Sequence, residues 1–201
     1  MTADLERQLA FLAEADRLKE VLRRSLTTGS RRRENSAEHS WHLALFSLIL
    51  AGHARETFDQ GHALRLILVH DLVEIDAGDT FHYDASGHTS KEVKERLAAD
   101  RLFALLPAAQ AGEIRALWDE FEAGATPEAK AARSLDRLQP ILQNLRTEGA
   151  SWRKYGVTKA QVRERNRAIE TAFPAVWEWL EGELDRAETA GHFDPHYEER
   201  Q

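Results

Sequence analysis

The segment L-I-L-V-H-D-L-V-E-I-D-A-G-D-T, residues 66–80, ends an apolar run on the pair His70-Asp71. Taking an imidazole and a carboxylate out of water together is costly unless each finds a partner, and a cation partners both. Adjacent helix residues point about 100° apart. The pair therefore does not chelate from one face, but it can grip an ion lodged where its helix meets its neighbours. The plainer reading is a His and an Asp that cap or pair locally at a helix end. Glu74 lies four residues after His70 and three after Asp71, on the same side of a continuous helix. A carboxylate there is placed to serve as a base for an attacking water, or is simply exposed at the helix end.

Upstream, E-N-S-A-E-H-S-W-H-L sets His39 and His42 three apart on a face shared with Phe46, so at least one of them turns inward. A lone inward histidine is usually a satisfied core residue. Two of them, followed by a His-Asp pair on the next helix, favour a ligand. Downstream, A-K-A-A-R-S-L-D-R-L-Q-P-I-L puts Asp136 on an amphipathic helix with Ala132, Leu135, Leu138 and Gln139. Between Arg133 and Arg137, Asp136 reads equally as a surface ion pair.

The elements that must carry these residues are helical, because apolar positions recur at three- and four-residue intervals through nearly the whole chain. Leu5, Leu9, Leu12, Leu18, Val21 and Leu22 predict a first helix that ends near Thr27-Thr28-Gly29. Residues 30–35, with three consecutive arginines, predict an exposed loop. Further helices are expected over 37–55, with Leu43, Phe46, Leu50 and Ala54 inward, and over 62–75, the most apolar and so the central one. The polar stretch 76–89 has no periodicity and reads as a functional loop. Helices resume over 91–106, 108–122 and 127–148, where Pro127 after Thr126 suits a first turn. Thr158 with Gln161 forms a capping pattern, and Pro174 opens the last helix. The expectation is an all-α, single-domain helical bundle over residues 1–190, with 191–201 a loose tail.

Composition narrows the chemistry. A formal charge of -7 without long runs of like charge argues against a nucleic-acid polymer as partner. With no cysteine there is no disulfide, thiolate site or cysteine nucleophile, so a metal would rest on His nitrogen and carboxylate oxygen. The N-terminal residues lack a signal-peptide pattern, and the longest apolar stretch, near Leu43, is too short to span a bilayer. A cytoplasmic protein without membrane contact is expected. Of the tryptophans, Trp177 and Trp179 cannot share a helix face, which leaves one exposed or at a subunit contact. Asn144, Ser151 and Trp152 read as a plain inter-helix turn, with a pocket rim as the alternative.

The order His, then His-Asp, then a lone Asp in an all-helical chain resembles the HD-domain superfamily of metal-dependent phosphohydrolases. R-x-E-N-x-x-E-H-S (32–40), H-D-x-x-E (70–74), A-G-D (77–79) and L-D-R-L (135–138) are in register with it, and are most similar to the subgroup containing the HD-domain 5′-deoxynucleotidases. The resemblance implies that His39, rather than His42, joins His70, Asp71 and Asp136 around one divalent ion (Mn, Co, Mg, Fe, Ni or Zn). It implies Glu74 and Asp79 as catalytic acids and Arg23 as the phosphate contact. Arg24 is its rival, and Arg32 and Arg33 are further candidates. The expected reaction is cleavage of a phosphomonoester, a (deoxy)nucleoside 5′-monophosphate or a similar small metabolite, by a homodimer. The chain departs from the subgroup after Asp79, where no proline follows and no lysine comes before Lys91, and at Arg24, where an aromatic is usual. A two-metal phosphodiesterase or oxygenase would need His82 and His88 as extra ligands. A non-catalytic nucleotide sensor would need neither Glu74 nor Asp79.

Overall fold

The computed structural model describes residues 3–83 and 88–194, without the side chains of residues 88–90. The helical periodicity forms α1 (Ala3–Ala15), α2 (Ser36–Leu50), α3 (Gln60–Val69), α4 (Glu74–Ala77), α5 (His88–Phe103), α6 (Ala108–Ala123) and α7 (Pro127–Arg146). The short helices α8 (Ala150–Tyr155), α9 (Lys159–Arg165) and α10 (Arg167–Ala172) lead into α11 (Pro174–Thr189). The all-α expectation holds, with one addition: a hairpin of β1 (Leu22–Leu26) and β2 (Arg33–Asn35), antiparallel with Leu22 opposite Asn35 and Leu26 opposite Arg33. No described helix is long and apolar enough to cross a membrane.

Three expectations are corrected. The first helix stops at Ala15, and after a 3₁₀ turn at Asp16–Glu20 the chain extends into β1, because a short apolar run such as Leu18-Val21-Leu22 does not distinguish helix from strand. Its expected stripe is largely outside: Leu5, Leu9 and Leu12 are exposed, whereas Phe11 and Leu18 are buried. The arginine-rich segment is not all loop, since β2 turns Glu34 into the interior. The central helix breaks at the His-Asp pair. Hydrogen bonds there shorten to a three-residue step, Leu72 N–H to Val69 O and Glu74 N–H to Asp71 O, before α4 resumes.

The tail expected from residue 191 is docked where it is described, with Phe193 stacked on Trp152 at a centroid distance of 4.6 Å. Residues 195–201 lie outside the described part, as do residues 84–87 of the predicted functional loop.

α3 is the central element. Ala63, Leu66 and Ile67 are fully buried, and α2, α6 and α7 pack against it. α2 and α7 also pack on each other, so the three helices carrying the candidate ligands meet around one core. Sharp starts keep them in phase. Asn35 accepts from Glu38 N–H at 2.9 Å while the Glu38 carboxylate accepts from Asn35 N–H, a capping box one residue before α2. Asp59 caps α3, Thr126 caps α7, and Thr158 with Gln161 forms the capping box expected for α9.

Asn35→Ala removes the cap that fixes where α2 begins, and with it the angular position of His39. The variant is expected to lose about 1 kcal/mol of stability, read from urea unfolding. An unchanged midpoint would mean that the packing of α2, rather than its cap, sets the start.

Candidate metal centre

His39 comes from the first turns of α2, His70 and Asp71 from the break after α3, and Asp136 from the middle of α7. One ligand atom each of His39, His70 and Asp136 lie within 4.8 Å of one another. The two imidazole rings stand 5.5 Å apart. His39 Nε2 is 2.9 Å and His70 Nε2 3.9 Å from the same oxygen, Asp136 Oδ1. Asp71 flanks this trio, with Oδ1 3.1 Å from His70 Nε2 and Oδ2 3.9 Å from His39 Nε2, while Oδ2 also accepts from Arg23 at 3.2 Å. Of the four sequence-predicted ligands, three thus converge and the fourth is drawn toward Arg23. Pro140 has no N–H for the carbonyl four residues back, which is that of Asp136, so the α7 ladder is interrupted at the turn bearing this carboxylate.

The nitrogen chemistry decides whether a cation fits. His70 Nδ1–H donates to Ile67 O at 2.7 Å, so Nε2 is the nitrogen turned inward, toward Asp71 and Asp136. His39 Nδ1 is 3.1 Å from Gln139 Oε1, to which it can donate, and its Nε2 is the nitrogen turned to the Asp136 carboxylate, 2.9 Å away. Two imidazole nitrogens and a carboxylate oxygen thus converge on one point, where positive charge, as protons or as a cation, must lie between them. Nitrogen and oxygen donors without sulfur suit a divalent ion. Burial opposes a charge on His70, yet Asp71 and Asp136 outweigh it and push the imidazole up to about 9. Burial likewise opposes the charge on Asp71, and His70 and Arg23 outweigh it, holding the carboxyl down at about 2.

The centre opens on a cavity of about 780 Å³ lined by Arg23, Glu74, Asp79, Lys91, Arg137 and Trp152 among others, a size suited to a small molecule. Arg23, on β1, reaches in beside Asp71 and lies 3.8 Å from Asp79 and 3.7 Å from Glu34. Burial works against its charge, but the surrounding carboxylates hold the guanidinium firmly protonated. Glu74 accepts from Ser36 Oγ at 2.6 Å, and burial together with Asp71 raises its carboxyl well above the usual range. Asp79 follows Gly78, whose φ of +75° turns the chain back from α4 toward the cavity. Burial raises its carboxyl too.

The arginine expectations separate. Arg23 is in the cavity, and Arg24 lines it with its guanidinium 4.8 Å from the ring centroids of both Phe81 and Tyr155. Arg32 and Arg33 are not cavity residues. Arg32 pairs with Glu38 on the surface, and Arg33 donates to the carbonyls of Leu22 and Arg23, because the turn of the hairpin carries both away from the centre. Asn144, Ser151 and Trp152, read mainly as a turn, line the cavity. His82 lines it as well but is outside the only His/Asp/Glu grouping of metal-binding geometry among the described residues, and burial beside Arg137 lowers its ring to about 4. The His88 side chain lies outside the described residues.

Sequence reasoning assigned no role to Glu34, Gln139, Ser36 or Lys91. A signal existed for the first two: a charged residue inside the R-x-E-N motif, and a glutamine on the apolar face of the Asp136 helix.

Residues 15–177 match the HD domain family. The chain is 32% identical over 115 residues to the 5′-deoxynucleotidase HDDC2 of Xenopus laevis, a match covering 57% of this chain and 56% of that protein, little more than half its length. It is 28% identical over 188 residues to the 5′-deoxynucleotidase hdd1 of Schizosaccharomyces pombe, covering 89% of each. A crystal structure from Magnetospirillum magnetotacticum MS-1, described as a predicted metal-dependent phosphohydrolase, superposes with a TM-score of 0.90 at 46% identity, over 96% of this chain and 97% of that one.

Arg23 is the cation that the cavity carboxylates share, so Arg23→Leu leaves Asp71 and Asp79 without it. In chelator-treated protein this is expected to cost about 3 kcal/mol, the low end for removing one partner of a buried charge pair. Urea unfolding that is no easier than for the unsubstituted chain would show that water entering the cavity neutralises the acids instead.

Proposed function

The chain belongs to the HD domain family, and from that premise we propose that it is a divalent-metal-dependent phosphohydrolase. Its substrate is a phosphomonoester: a (deoxy)nucleoside 5′-monophosphate or a similar small phosphorylated metabolite. The observation that carries this reading is the convergence of two imidazole Nε2 atoms on Asp136 Oδ1, beside an arginine and two acids in one cavity.

His39, His70 and Asp136, with Asp71 beside them, would hold the ion. Bound there, a divalent cation would acidify a water and offset charge on the phosphate. Arg23 would exchange its contact with Asp71 for the phosphate oxygens, where its planar fork suits two-point binding. Glu74 and Asp79 are the acid–base pair: one takes the proton of the attacking water, the other gives a proton to the departing alkoxide. Water and monoester then leave as alcohol and inorganic phosphate. Ser36 would keep Glu74 aimed, since its Oγ–H occupies one carboxylate oxygen. Phe81, Tyr83 and Trp152 supply an aromatic wall for the organic part of the substrate. Similarity to the named 5′-deoxynucleotidases supports a nucleotide there. In the subgroup an aromatic follows the phosphate arginine. Here the Arg24 guanidinium, stacked with Phe81 and Tyr155, would be the flat surface at that position.

We also place the working molecule as a homodimer. Trp41, Leu45, Leu48 and Ile49 lie along one face of α2 and are exposed, at 64%, 39%, 47% and 76%, an apolar strip that monomers rarely leave in water.

Phosphate release should be measured on nucleoside and deoxynucleoside 5′-monophosphates after chelation and after restoring Mn, Co, Mg or Zn. Restored activity is expected, with Asp136→Ala slower by more than about 100-fold, the upper figure for residues one shell further out. A protein that binds a metal yet releases phosphate from none of these esters would sink the monoesterase reading. Sedimentation is expected to give the mass of two chains, falling to one in Ile49→Asp. A monomeric unsubstituted chain would remove the dimer.

A further inference from the structure

Glu34 is a carboxylate only 2% exposed, on a two-stranded hairpin where an apolar side chain would pack at less cost. Its Oε1 accepts from Gln139 Nε2 at 2.8 Å and from Gln143 Nε2 at 2.6 Å. The second hydrogen of the Gln139 amide points to His42 Nδ1 at 3.1 Å. Both amide donors of Gln139 therefore have acceptors, and its Oε1 is left to face His39 Nδ1 at 3.1 Å. Turning the amide over would set its oxygen against the Glu34 carboxylate. The carboxylate dictates the amide orientation, and the amide oxygen dictates which nitrogen of His39 holds the proton. Gln139 is fully buried, so water does not offer a substitute acceptor, and Glu34 Oε2, 3.8 Å from His39 Nδ1, lies beyond hydrogen-bond distance.

We propose that Glu34 and Gln139 are positioning residues for the metal centre, a carboxylate–amide–imidazole relay that holds His39 with its Nε2 lone pair toward the ion. The inference rests on the metal reading above and deepens it. Glu34 supplies negative charge that polarises the amide, and the polarised amide oxygen draws the Nδ1–H of His39, which raises the donor strength of Nε2. His70 obtains the same tautomer more simply, from the Ile67 carbonyl of its own helix. His39 lies in the first turns of α2, where the carbonyl preceding it by three residues is that of Ser36, so its orienting oxygen comes from another helix. The same carboxylate lies 3.7 Å from Arg23 Nε, so one buried charge stands behind both the ligand and the phosphate arginine.

The test is cobalt(II) titration of the full-length chain, followed by visible absorption, with circular dichroism to confirm folding. Gln139→Leu is expected to bind cobalt about 10- to 100-fold more weakly, the usual loss when the partner of a metal-bound histidine is removed. Gln139→Glu alone, which opposes two carboxylates, should weaken binding as well. The double variant Glu34→Gln/Gln139→Glu restores one amide and one carboxylate in reversed order and again offers His39 an oxygen. It is expected to recover to within about threefold of the unsubstituted chain, the coupling of a contacting pair. A folded Gln139→Leu with unchanged cobalt affinity and spectrum would overturn the relay. If that variant does not fold, a double variant no better than Gln139→Glu overturns it instead. An unsubstituted chain that binds no cobalt would defeat the metal reading itself. The relay would then still be decided by nitrogen-15 spectra of the metal-free protein at pH 8, expected to show His39 Nδ1 protonated in the unsubstituted chain and bare in Gln139→Leu.

Discussion

Everything in this structure is arranged around an electrostatic demand: the carboxylates of Asp71 and Asp136 brought together beside two imidazoles at the junction of three packed helices. A helical core built from Leu66, Ile67, Leu43 and Leu135 has no solvent to relieve that repulsion. The relief comes from positive charge, and the fold supplies or admits it at three points. Arg23 stands over Asp71, a proton is favoured on His70, and the donor set itself suits a divalent ion. Remove the demand and there is little reason for the helix break at His70, for a buried Glu34, or for an arginine enclosed on a β-hairpin.

The two irregularities of an otherwise helical chain serve that centre. The tighter hydrogen bonding of the break after α3 leaves the His70 and Asp71 side chains on the core and presents Glu74 at the start of the next short helix. The hairpin does comparable work from the other side. Its first strand delivers Arg23 to the acids, and its second delivers Glu34 to Gln139 and Gln143 on α7. A strand alternates its side chains, so a two-stranded hairpin presents inward and outward residues within a few positions. In β2 this sets Glu34 inward and Arg33 outward, where its guanidinium bonds carbonyls of β1, while Arg32, ahead of the strand, pairs with Glu38 on the surface.

This division explains the errors of reading the chain linearly. Arg32 and Arg33 sit in the motif next to Glu34 and carry the right charge for a phosphate, yet Arg33 falls on the outer face of β2 and Arg32, ahead of the strand, is paired with Glu38. Leu5, Leu9 and Leu12 have a core-like spacing, but it is Phe11 that α1 buries, and the three leucines are exposed. Glu34 and Gln139 look like ordinary polar residues in sequence. Their burial follows from where β2 meets α7, a contact between residues 105 positions apart.

The chain alone determined the helical class, because hydrophobic periodicity is a local property and persists over enough turns to outweigh competing patterns. Its motifs, through their resemblance to a known family, pointed to His39, His70, Asp71 and Asp136 as candidate ligands, where spacing alone left His39 and His42 open and read Asp136 equally as a surface ion pair. Only the tertiary structure decided which nitrogen of each histidine faces inward, which arginine enters the cavity, and that Asp71 leans toward Arg23. Those outcomes depend on hydrogen-bond partners and charges contributed by distant segments, and pairings of that kind leave no trace in the spacing of neighbouring residues.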